Sequence, residues 1–355
     1  MLGTEEGGQM EFVVGTEMRD DYLSFELARA ARKTVEEVMP VQPGENVVIT
    51  GDTSSDSRVV NAVAQAVYAL GAHPVVIWYE TQPDAQMEPP APVAAALREA
   101  DVWFEFGVQY ILYTEARKQA TAAGCRHACY GGMDVEMMVR TIGRVDQQAM
   151  AELGRRLRDL CTAAEVVRVT DPNGTNLVCP VDRNPPIYLP GTGQPGAGYS
   201  QMLGGQASFS ALVDEINGTI VFDGAIWPPA ELGPLSQPVR LTIERGYVTE
   251  IEGGHEARVF ERWLASFNNR QMYRIAHLSF GFNPGVRRIS GRIVEDERVF
   301  GCLDIGIGPQ SLGAPSHTDG IILRPSIVAD GVEIEREGRY VHPDLLDLCR
   351  QLGVE

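Results

Sequence analysis

The strongest constraint on the fold of this chain is a change of pattern near residue 165. Before it, short β-branched runs alternate with segments of helical period. A helix is predicted over 25–38, and Gln42-Pro43-Gly44-Glu45 then breaks it ahead of the strand 46–50. Further strands are predicted over 73–79, 101–106 and 126–130, separated by helices over 58–70, 92–100 and 111–123, with amphipathic segments at 134–142 and 147–164 closing this half. Parallel strands need long crossovers, and helices supply them, so residues 1–165 are expected to form an α/β domain around a parallel, Rossmann-like sheet. After 165 the strands come as hairpins. Their turns read Asp171-Pro172-Asn173-Gly174, Glu244-Arg245-Gly246-Tyr247 and Asp330-Gly331, and helices are confined to 255–267 and 343–352. Residues 166–355 are therefore expected to be an α+β, antiparallel-rich second domain, and 355 residues suit two cores better than one.

Charge and composition remove several classes of function. Forty-eight Asp and Glu against thirty Lys and Arg leave a net charge of −18, which opposes binding to nucleic acid or an anionic membrane. No apolar run approaches the roughly 18 residues of a membrane span. The opening MLGTEEGGQMEF lacks a basic segment followed by an apolar one, so a cytoplasmic location is expected. Six scattered cysteines read as buried thiols, and Cys125, His127 and Cys129 in GCRHACY read as a buried strand rather than a zinc site. The first strand-to-helix turn, Gly51 to Asp56, lacks the glycines of a dinucleotide site, and its aspartates would repel a pyrophosphate. Asp56 reads instead as a helix cap. Gly191-x-Gly193-x-x-Gly196 matches the dinucleotide fingerprint formally, but it lies in the Pro/Gly-rich stretch 184–206, which reads as a site loop.

Polar groups inside otherwise apolar strands carry the chemical information. His277 interrupts IAHLSFGF, Asp304 interrupts VFGCLDIGIG, and His317 and Asp319 open SHTDGIIL. Residues i and i+2 of a strand face the same way, so His317 and Asp319 can reach one point. With His277 they make the inventory of a facial triad, two histidines and a carboxylate that leave metal positions open. The same spacing also serves a hydrogen-bonded pair in a core. A buried Asp304 requires a cation, a strong donor or a metal beside it. His73, His127, His255 and His342 lie at element edges, in the first half or beside charges, and receive structural readings.

The run from Glu295 to Leu323, together with Asn217-Gly218-Thr219-Ile220-Val221 and Glu250-Ile251-Glu252-Gly253-Gly254, resembles the thermophilic metallo-aminopeptidases of the aminopeptidase T family. Those peptidases hold two metals with two glutamates, two histidines and an aspartate, and their His-x-Asp corresponds to His317 and Asp319. At the other ligand positions this chain has Gln206, His277 and Asp304. A neutral amide neither balances cation charge nor bridges well, which argues against a metal pair.

Histidine at the position of 277 is instead similar to the ring-opening branch of the family, the 2,5-dihydroxypyridine 5,6-dioxygenases, which use one iron. That resemblance implies Fe(II) held by His277, His317 and Asp319, and an enzyme that cleaves a hydroxylated N-heteroaromatic ring with dioxygen. Tyr113 and Tyr199 stand where the branch has histidines near the substrate and are candidates for acid/base or substrate contact. Gln206 is expected to touch substrate, and Asp304 to orient a ligand imidazole. The alternative is a metal-dependent aminopeptidase or small-molecule amidohydrolase using Zn, Mn or Co. A third reading is a scaffold without chemistry. The resemblance also implies a homo-oligomer.

Overall fold

The computed structural model describes residues 19–183 and 198–354. The Gly191-x-Gly193-x-x-Gly196 segment lies outside them. Five strands form a parallel sheet in the order His73–Tyr79, Asn46–Asp52, Val102–Glu105, Arg126–Cys129, Ser200–Gln201. The first four are the strands expected from the sequence. The fifth comes from beyond residue 165, and the backbone N–H of His127 donates to the carbonyl of Tyr199 at 2.8 Å where the chain rejoins the sheet edge.

The acidic turn after the first strand closes on itself. Asp52 accepts from the Ser54 amide, the Ser55 hydroxyl and the Gln109 amide, leaving no anion cradle. Asp56 caps the helix Ser57–Ala69 through the Arg58 amide, and Val59, Val60, Val63 and Val67 form its buried face. Cys125 and Cys129 are buried free thiols, and His127 between them is paired with Glu105 at 2.9 Å and stacked on Trp103.

The remaining strands form two antiparallel sheets. One has six strands in the order Gly233–Pro234, Ala225–Trp227, Thr318–Ile322, Cys302–Ile307, Ile275–Gly281, Gln206–Phe209. The other has eight and contains all three hairpins anticipated from their turns. Their inner faces share one core, in which Ile220, Phe222 and Leu241 of the larger sheet join Phe209, Leu278, Phe280, Leu303 and Ile305 of the smaller. The helix Gln147–Ala163, capped by Asp146, buries Met150, Leu153, Leu157 and Cys161 in that same core. The opposite face of the six-stranded sheet turns toward the parallel domain, where Cys302 and Ile321 pack with Val47, Phe104 and Tyr130. Among the described residues no helix is long and apolar enough to cross a membrane.

One core group conflicts with its surroundings. Glu335, on the strand Val332–Arg336, is fully buried, and neither carboxylate oxygen has a partner among the described residues. Burial pushes its pKa well above the usual carboxylate range. The acid is therefore comfortable only when protonated, and its contribution to stability is lost as pH rises from the unfolded value toward the folded one. Glu335→Gln, which cannot ionise, should match the wild type in thermal melts at pH 5 and exceed it at pH 8 by about 1–3 kcal/mol. An equal difference at both pH values would contradict this assignment.

Candidate metal centre

Strand alternation builds a polar face on the six-stranded sheet. Along Ile275–Gly281, Leu278 and Phe280 enter the shared core, so His277 and Ser279 point the other way. By the same alternation Leu303, Ile305 and Ile307 face the core while Asp304 and Gly306 do not. Asp319 likewise opposes Ile322, and Gln206 and Ser208 oppose Ala207 and Phe209.

Register then brings three ligand atoms together. Gly306 on the middle strand is paired with His277 on one side and Asp319 on the other. His277 Nε2 lies 3.2 Å from His317 Nε2 and 3.1 Å from Asp319 Oδ1, and His317 Nε2 lies 3.0 Å from that same oxygen. Among the described residues this is the one cluster of His, Cys, Asp and Glu with the geometry to hold a metal ion. The side chains converge above Gly306, where a Cβ would stand 2.3 Å from His277 Nε2 and 2.7 Å from His317 Cε1. A glycine is therefore required between them.

A hydrogen bond behind the cluster sets the tautomer of one of its imidazoles. His317 Nδ1 lies 3.1 Å from the Gly308 carbonyl, an acceptor, so this nitrogen must carry the proton and Nε2 presents its lone pair to the cluster. His277 Nδ1 meets the Ser279 hydroxyl at 3.0 Å, and that hydroxyl reaches Ser208 Oγ at 2.8 Å. If His277 Nδ1 donates to Ser279, two imidazole lone pairs and a carboxylate oxygen point at one another, an arrangement that needs a positive charge at its centre. Burial opposes an imidazolium at His317, but Asp319 outweighs it and holds the pKa up at about 9. Burial likewise opposes ionisation of Asp319, and the two histidines overcome it and keep this carboxyl well below its usual range. A divalent ion meets the same demand. Bonds of roughly 2.0–2.2 Å place adjacent ligands of an octahedral ion about 3 Å apart, matching the triangle, and a backbone carbonyl holding the far nitrogen is the usual support of a ligating histidine. The residues fit a metal with one open face.

That face looks into a cavity of about 860 Å³ between the sheet and the parallel domain. Tyr110, Tyr113, Trp227, Trp263 and Phe267 supply aromatic walls, and Gln206, Ser208, Ser279 and Glu297 supply polar ones. Tyr113 is half-exposed at this wall. Tyr199 does not line the cavity: it packs on the core of the parallel domain, its carbonyl committed to His127.

Asp304 is not the acceptor that orients a ligand. Its Oδ2 is 3.7 Å from His277 Nδ1, and the Ser279 hydroxyl at 3.0 Å is the hydrogen-bonding partner there. Asp304 Oδ2 accepts instead from Gln206 Nε2 at 2.8 Å, while Gln206 Oε1 accepts from the fully buried Arg298 at 3.2 Å. Burial first, then Asp319 and Glu297, push the pKa of Asp304 well above the usual carboxylate range. Sequence reasoning missed Tyr110, Gly306 and Glu297. Glu297 accepts from Arg298 at 2.7 Å, and an acid beside a base in the sequence gives no signal of burial.

Residues 26–342 match the family model for NicX, 2,5-dihydroxypyridine 5,6-dioxygenase. The chain belongs to the 2,5-dihydroxypyridine 5,6-dioxygenase family. It is thus an enzyme of a ring-cleaving dioxygenase family. A curated member from Pseudomonas putida KT2440, named 2,5-dihydroxypyridine 5,6-dioxygenase, is 22% identical over 332 residues, covering 86% of this chain and 93% of the relative. The solved 2,5-dihydroxypyridine dioxygenase structure from the same organism superposes with a TM-score of 0.74 at 19% identity, covering 93% of this chain and 99% of that one. AmpT from Thermus thermophilus shares the fold at a TM-score of 0.66 and 14% identity, covering 90% of this chain and all, 100%, of that one. The family membership and the shared fold agree with the resemblance read from the sequence.

If this cluster holds a metal, Gly306→Ala should displace the His277 imidazole and lower divalent-metal affinity at least about 10-fold. Ser279→Ala should lower affinity about 10- to 100-fold with the fold intact. Titration of metal-free protein, followed by circular dichroism, measures both; unchanged affinity in the two variants would remove the cluster from metal binding.

Proposed function

We propose that this enzyme is a mononuclear non-haem iron dioxygenase that opens a hydroxylated N-heteroaromatic ring, with His277, His317 and Asp319 as the ligands. The observation that carries the reading is the triangle of two imidazole nitrogens and one carboxylate oxygen, each 3.0–3.2 Å from the others, at the wall of an aromatic cavity. Fe(II) bound there would supply open positions for the ring hydroxyl and dioxygen, and both oxygen atoms would enter the product without an external reductant.

The remaining work falls to side chains. Trp227, Trp263 and Phe267 offer flat apolar surface that orients a planar ring and displaces water from around it. Tyr110 is pushed well above its usual pKa by burial, then by Glu297, Tyr113 and Asp319, so its hydroxyl keeps its proton and donates. Tyr113, half-exposed as a residue, has the pKa of its hydroxyl raised by desolvation and then by Asp319 and Glu297, and keeps its proton as well. Gln206 can offer substrate the one N–H of its amide that it does not give to Asp304.

A one-metal hydrolase could use the same three ligands and is separated from the dioxygenase by the test below, whereas a two-metal hydrolase would need further ligands from the floor. Gln206 donates to Asp304 and accepts from Arg298, which commits both ends of its amide. The test is anaerobic preparation, Fe(II) loading and measurement of oxygen uptake with 2,5-dihydroxypyridine. One iron per chain and stoichiometric oxygen consumption are expected, and His317→Ala or Asp319→Ala should retain the fold while losing metal and about 10³-fold in rate. Zinc or manganese supporting hydrolysis under nitrogen, or full activity in Asp319→Ala, would contradict the proposal.

A further inference from the structure

We infer that this cavity selects a ring substrate without an anionic group, neutral or cationic, and that Glu297 is the carboxylate on which the substrate's hydrogen-bond donor is anchored. The inference deepens the dioxygenase reading and rests on it for the position of the reacting ring.

Apart from the two imidazoles of the metal cluster, the ionisable side chains on the wall are acidic or tyrosines. Asp84, Glu231, Glu297 and Asp319 line the cavity, and among its described lining residues there is no Lys or Arg. The stretches 1–18 and 184–197 contain neither residue type in the sequence, so they cannot add one. The guanidinium behind the wall is already committed. Arg298 is fully buried and donates to the carbonyls of Leu203 and Val294, to Glu297 Oε2 and to Gln206 Oε1. A substrate carboxylate or phosphate entering this space would meet carboxylates and find no bidentate cation of the kind that recognises such groups.

Glu297 is placed to use the opposite sign. It is nearly buried, lines the same cavity as His277, His317 and Asp319, and has one oxygen fixed by Arg298. A carboxylate has two oxygens, so a ring N–H, a hydroxyl or an ammonium on the substrate can be accepted by the other. A volume of about 860 Å³ lies toward the upper end of the roughly 300–1,000 Å³ that accommodates drug-sized ligands, leaving room for a substituent beyond one ring. Asp84 and Glu231 extend the same preference to that substituent.

The test is equilibrium binding under nitrogen to metal-loaded protein, with metal content measured separately. Three probes differ at one position that cannot chelate the metal: 3-hydroxy-5-methylpyridine, 5-(aminomethyl)pyridin-3-ol and 5-hydroxypyridine-3-carboxylate. The methyl and aminomethyl compounds should bind, and the carboxylate at least about 10-fold more weakly. In Glu297→Gln the aminomethyl compound should lose about 10-fold and the penalty on the carboxylate should shrink, with metal content unchanged. Should that variant fold poorly, the wild-type series decides alone. Equal or tighter binding of the carboxylate, or no binding of any probe, overturns the inference. Because no turnover is read, a failure of oxygen chemistry would appear separately, in the oxygen-uptake assay.

Discussion

Three side-chain atoms held about 3 Å apart from the two sides of the strand Cys302–Ile307 are the constraint around which the second half of this molecule is arranged. Their mutual repulsion is relieved by a positive charge among them, and the protein maintains the geometry from outside the cluster. The Gly308 carbonyl fixes one imidazole, the Ser279–Ser208 pair fixes the other, and the missing side chain at Gly306 leaves space for both. A shift of one residue in Ile275–Gly281 or Thr318–Ile322 would turn a ligand into the apolar core, so sheet register and site chemistry are specified by the same pairing.

Arg298, Gln206 and Asp304 form a buried chain of donors and acceptors that ends in a carboxyl held in its neutral range by burial. One oxygen of Asp304 is left without a partner among the described residues. Such a network sets the shape of the floor while adding little charge, and it directs the electrostatics of the cavity toward Asp319 and Glu297. Partly satisfied buried networks cost stability, and their retention beneath a site is consistent with a role in holding neighbouring groups in position.

Much of this was legible from residue order because strand alternation is a local signal. His277, Asp304, His317 and Asp319 stood out as polar interruptions of apolar runs, and three hairpin turns were spelled by their Pro, Asn, Asp and Gly residues. What escaped depended on long-range pairing. Gly306 looked like one glycine among several in GCLDIGIG, and its necessity emerges only when His277 and Asp319 are placed on either side of it. The partner of Asp304 is Gln206, 98 residues away. Tyr199 was drawn toward the site by its neighbourhood in a Pro/Gly-rich stretch, whereas Ser200–Gln201 returns to the parallel sheet beside His127. Glu297 was hidden by its adjacency to Arg298, since a charged pair in sequence gives no sign of being buried.

The central claim is that one metal ion sits on His277, His317 and Asp319. Anomalous diffraction at the iron edge from crystals loaded anaerobically with Fe(II) tests it most directly. A single peak per chain within about 2.2 Å of His277 Nε2, His317 Nε2 and an Asp319 oxygen is the predicted result. A pair of peaks engaging Gln206 or Asp304, or a peak away from this triangle, would contradict it.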